Sequence, residues 1–79
     1  MRFCKPHHHE EIHNGIPTTF NYVTYQDVIN FHGQAFAEQW KLFVERDGQQ
    51  GFVINGQEAF YYMDYQHHAR TTDQWLNAA

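Results

Sequence analysis

Gln39 to Met63 reads "QWKLFVERDGQQGFVINGQEAFYYM", and whether its first third is helix or strand decides the fold. Trp40 and Phe43 continue a helical spacing begun upstream, so a helix could run to Arg46 and stop at Gly48. Against that stand Asp47-Gly48 and Asn55-Gly56. Both dipeptides are preferred fillers of two-residue hairpin turns, because both central residues need positive φ. Flanked by Phe, Val, Ile and Tyr, they predict a meander with strands over 41–46, 50–54 and 58–63.

The neighbouring stretches fit around it. "TTFNYVTY" (Thr18–Tyr25) is rich in β-branched and aromatic residues and predicts a strand. Thr24 with Asp27 resembles a capping box, an acid three residues after a hydroxyl. Val28, Ile29, Phe31, Ala35 and Phe36 then recur at helical spacing, with Asp27, Asn30, Gln34 and Glu38 opposite, which predicts an amphipathic helix with Gly33 inside it. Tyr65, Ala69, Thr72, Leu76 and Ala79 form a second such stripe with Trp75 beside it, and Asp64 is placed to cap it. Met1 to Pro17 is polar, interrupted by Pro6, Asn14-Gly15 and Pro17, and has no period. The expectation is an α+β domain over 18–79, a small antiparallel β-meander covered by two amphipathic helices, preceded by a polar His-rich N-terminal arm over 1–17.

Size and composition narrow the class. A chain of 79 residues makes one domain at most, and one this short buries only roughly 60% of its unfolded surface. Aromatic residues at 18% of the chain supply unusual apolar area per residue, so a fold without staples is feasible. The single cysteine, Cys4, excludes an internal disulfide and fits a reducing cytoplasm. No apolar run reaches the length of a signal-peptide core or a membrane span. Five Lys/Arg against nine Asp/Glu give a net charge of −4, which opposes binding to a phosphate backbone and suits a partner with a basic surface.

One motif argues for chemistry. Within "CKPHHHEEIHNG" (Cys4–Gly15), His9-Glu10-Glu11-Ile12-His13 satisfies H-E-x-x-H and resembles the zinc metalloprotease motif over five residues. That chemistry needs a helix, so that histidines at i and i+4 share a face and hold one zinc while the glutamate acts as general base. His32 or Glu38 would be the third ligand. Asn14-Gly15-Ile16-Pro17 ends any such helix after about two turns, too short to stand alone in water. A peptidase therefore ranks last. Metal binding without catalysis ranks above it, with His7, His9 and His13 as ligands and zinc or nickel as the ion; His67-His68 could complete a site, although adjacent histidines on a helix diverge. The commoner reading of such a run is a solvated arm.

Other reactive arrangements are weaker still. Cys4 beside His7 or His8 reads as a surface thiol, and the absence of serine excludes a Ser-His-Asp triad. Gly48, Gly51 and Gly56 are spaced as turn residues, with no lysine after them as a phosphate loop requires. His32, on the apolar stripe, predicts a half-buried group with one hydrogen bond. "FYYMDY" (Phe60–Tyr65) concentrates four rings in six residues, and alternating faces leave some of them exposed.

The expectation is a noncatalytic protein-binding module. Glu45, Asp47, Glu58 and Asp64, with Tyr61, Tyr62 and Tyr65, would meet a larger protein with a basic surface; direct nucleic-acid or membrane binding is not expected, and a homodimer is an open option. By analogy, small acidic proteins of phages and mobile elements block nucleic-acid-handling machines in this way.

Overall fold

A computed structural model describes residues 1–78; Ala79, the last position of the predicted stripe, lies outside the described residues. The elements run β1 (His7–His13), β2 (Ile16–Thr24), α1 (Tyr25–His32), α2 (Gln34–Arg46), β3 (Phe52–Ile54), β4 (Gln57–Tyr61) and α3 (Tyr62–Asn77). The strands form one antiparallel sheet in the order β1-β2-β4-β3, so the chain is an α+β domain.

Residues read as an arm are a strand. Asn14 and Gly15 take φ of 52° and 79°, and His13 pairs with Ile16 across them. Two positive-φ residues between paired strands are the turn that asparagine and glycine favour, since its twist matches that of the flanking strands. Asn55-Gly56 repeats it at φ 52° and 76°, joining Ile54 to Gln57 as predicted. The third dipeptide does something else. Gly48 (φ 71°) donates its N–H to the Glu45 carbonyl at 3.0 Å, and Gln49 donates to the Val44 carbonyl at 3.2 Å. That pair of bonds closes a helix with a left-handed glycine. The predicted strand over 41–46 is therefore the end of α2, and the amphipathic stripe through Trp40 prevails over the turn signal.

Three helices rather than two cover the sheet, because Gly33 divides the first predicted helix. Its φ of 96° and ψ of 159° are outside helical values, so it both caps α1, donating to the Ile29 carbonyl at 2.8 Å, and begins α2. The Thr24–Asp27 capping box forms as predicted, with Asp27 N–H donating to Thr24 Oγ1 at 3.1 Å and Thr24 N–H to Asp27 Oδ2 at 3.0 Å. α3 starts three residues earlier than expected. Tyr61 occupies its N-cap position without a side-chain bond, and Asp64 sits in the first turn.

Val23 and Phe60 pair across β2 and β4 and face the helices. Onto them pack Val28 of α1, Ala37, Trp40 and Val44 of α2, and Tyr65 and Ala69 of α3. Trp40 is fully buried, edge-on to Phe60 at 4.8 Å and 88°, and its indole N–H donates to the Tyr65 carbonyl at 3.3 Å. Cys4, read as a surface thiol, is part of this core. Its N–H donates to Tyr65 Oη at 2.9 Å, and Tyr62 Oη donates to its carbonyl at 2.8 Å, so the segment before β1 is fastened to α3.

Candidate functional site

Strand alternation places the residues between the core positions on the other side of the sheet. Tyr22 pairs with Tyr61 and Phe52 with Ala59, one step out of phase with Val23 and Phe60. Phe20, Tyr22, Phe52 and Tyr61 gather there. Phe20 lies 5.6 Å from Phe52 and 5.5 Å from Tyr61, both near-perpendicular, and Phe52 lies 4.9 Å from Tyr61. Edge-to-face arrangements at these separations are favourable ring contacts. His7 stacks on Tyr22 at 5.1 Å and His9 leans on Phe20 at the same distance. All six rings come from strands. Tyr61 stays half exposed at 49%.

A cleft of about 410 Å³ adjoins this cluster, lined by Phe20, Asn21, Tyr61, Tyr62, Met63 and Asp64. It lies where the first hairpin meets the junction of β4 and α3. Met63 is 81% exposed, unusual for so large an apolar side chain, and Asp64 supplies the only carboxylate on the lining among the described residues. The cleft is mostly apolar with one negative group at its edge, a combination that would take an apolar side chain beside a cationic one.

The predicted binding residues divide. Tyr61, Tyr62 and Asp64 line this cleft; Glu45, Asp47 and Glu58 do not. Glu58 accepts from Lys41 Nζ at 3.0 Å, an ion pair that raises the Lys41 ammonium above its usual range. Asp47 follows α2 and its Oδ2 lies 2.7 Å from His68 Nε2, while Glu45 is exposed in the last turn of the same helix. Tyr65 is excluded from any surface. It is fully buried, burial pushes its phenol far above the usual range, and its hydroxyl lies 2.6 Å from His32 Nε2. Tyr65 Oη also accepts from Cys4 N–H at 2.9 Å. His32 is thus the half-buried, singly bonded group expected, and burial holds it below the ordinary imidazole value.

The histidines of β1 stand apart from one another. On a strand, residues four apart lie roughly 13 Å apart along the chain, and their odd neighbours share a face that Glu10 does not. The helical arrangement the peptidase motif requires does not form. Instead His9 and His13 flank Glu11, donating to its two oxygens at 3.0 and 2.8 Å. Bonds from His13 and then His9 hold the Glu11 carboxyl below its usual range. His7 lies 2.7 Å from Asp27 Oδ2, the same oxygen that closes the capping box. Burial raises the Asp27 carboxyl, but the bonds from Thr24 and His7 outweigh it and leave it low. Each histidine nominated as a metal ligand is therefore engaged with a carboxylate, and the three do not converge.

Phe20, Tyr22 and Phe52 were not singled out in the sequence, where each looks like an ordinary strand residue. Only the register shows that they share a face with Tyr61. No protein-family model, curated protein or solved structure matches the chain.

Proposed function

We propose that this protein is a noncatalytic binding module that captures a partner protein on the aromatic side of its sheet, opposite Val23 and Phe60. The observation that carries the reading is the aromatic cluster of Phe20, Tyr22, Phe52 and Tyr61, beside a cleft edged by exposed Met63 and Asp64. Rings already stacked on one another lose little freedom on binding, and aromatic residues dominate interface affinity. The occupant is a protein with lysine or arginine near an apolar side chain. Asp64 meets the cation, and a net charge of −4 speeds the encounter. Occupying a basic surface would also block whatever anion that surface normally grips, which is the finer, inhibitory form of the proposal.

The test is capture from the native host with immobilised chain, at low and high salt. A Tyr61→Ala/Met63→Ala double variant should lose partner recovery by about 30-fold or more, the scale of removing an interface hot spot. Glu45→Gln should bind as the wild type does. High salt should slow association. Equal capture by the double variant would overturn the proposal.

A further inference from the structure

We infer that Asp47, His67 and His68 form a divalent transition-metal site that clamps the end of α2 to α3. The carboxylate oxygen and one ring nitrogen from each histidine lie within 4.8 Å of one another, the one such group of three donors among the described residues. Neither helix could supply the set alone. Asp47 is placed by the glycine-closed end of α2, and the two histidines follow one another on the second turn of α3. Adjacent helical histidines diverge, yet here the rings stand edge to face at 5.1 Å and 83°, so a nitrogen of each can point toward Asp47.

The hydrogen bonding of His68 supports the assignment independently. Its Nδ1 lies 2.9 Å from the backbone carbonyl of Asp64, four residues earlier on the helix. A carbonyl only accepts, so Nδ1 carries the proton and donates. Metal-bound histidines have this arrangement: the outer nitrogen is fixed by a backbone carbonyl, and the inner one is left as the ligand. The inner nitrogen, Nε2, lies 2.7 Å from Asp47 Oδ2. A divalent ion at this point would be held by both atoms.

The donor chemistry points to zinc, with nickel or copper as competitors, since two imidazoles and one carboxylate suit all three. With bonds of about 2.0–2.1 Å, tetrahedral zinc needs donors about 3.3 Å apart. Nε2 and Oδ2 must therefore separate slightly, and His67, which is exposed, must swing inward. Water completes the shell on the open side. The buried His68 ring supplies a fixed anchor and the exposed pair closes onto it. None of its three ligands lies on the aromatic face or its cleft.

Zinc should be titrated into the full chain by calorimetry and by thermal melting, alongside His67→Ala, Asp47→Asn and a His9→Ala/His13→Ala double variant. His67 is exposed, so its variant should melt with the wild type when no metal is present. The expected result is one saturable equivalent and a rise in Tm of about 5 °C or more in excess zinc. Both should fall by at least about tenfold in affinity in His67→Ala and Asp47→Asn, and persist in the double variant. Absence of saturable binding, binding unaffected by His67→Ala, or binding lost with the β1 histidines would each overturn the site.

Discussion

The hairpin of β1 and β2 and the helix-covered body show two ways of using the same antiparallel pairing. In the body, Val23 and Phe60 pair beneath three helices, and Trp40, Tyr65 and Val28 are fully buried above them. In the hairpin, only Tyr22, Val23 and Thr24 of β2 also pair with β4. Residues Ile16 to Asn21 have β1 as their one strand neighbour among the described residues, and Ile12 and Ile16 are exposed at 75% and 67%. The molecule is elongated accordingly, 52 × 24 × 22 Å. A two-stranded ribbon has little apolar area to bury and is marginal alone. Its base is held by His7 on Asp27 and by stacking on Tyr22 and Phe20, whereas its tip has only the turn and the bridged Glu11 carboxylate. The body's stability thus comes from apolar burial and the hairpin's from turn geometry and polar pairs. The aromatic cluster lies at the seam between them.

Trp40→Ala should break the body outright. Removing a fully buried indole costs about 3–5 kcal/mol, comparable to the whole stability of so small a domain. Circular dichroism and melting should report an unfolded or barely folded chain. Tyr65→Phe should follow at about 1–3 kcal/mol, because it strips a bonded partner from both the Cys4 N–H and His32. That loss is read from urea unfolding.

Gly15→Ala sharpens the contrast. With φ at 79° a side chain is strained, at a cost of about 1–2 kcal/mol. Hydrogen exchange should quicken at the amides of 10–19 while the core helices keep their protection, since the hairpin can open without the body. The pH dependence is the smallest effect. Burial holds His32 below its ordinary value of 6.5 in the folded chain, so the unfolded chain takes up the proton first. Stability present above pH 6.5 is therefore lost as the pH falls below it. Tm measured from pH 8 to 5 should decline through that window, and His32→Gln should lose that part of the decline.

The sequence carried the body better than the hairpin. The Thr24–Asp27 box, the Asn55-Gly56 turn and the Tyr65–Ala69–Thr72 stripe each have a local cause that survives in the fold. Asn14-Gly15 carried the same turn chemistry as Asn55-Gly56, but apart from Ile12 the stretch His7 to His13 before it is histidine and glutamate, so the strand there looked like coil. Asp47-Gly48 failed oppositely. A left-handed glycine serves a helix end as readily as a hairpin, and the deciding term was burial of Trp40 against Phe60, which is not local. The candidate site was half legible: Tyr61, Tyr62 and Asp64 were marked by their density of rings and charge, while Phe20 and Phe52 join them only through register. Tyr65 was misplaced because one helical turn separates it from that surface.

Hydrogen exchange of the chain bound to its captured partner tests the central claim most directly. New protection should appear in segments 20–22, 52–54 and 57–63, which carry the aromatic cluster and its cleft. Protection confined to the end of α2 around Glu45, with those three segments unchanged, would contradict it.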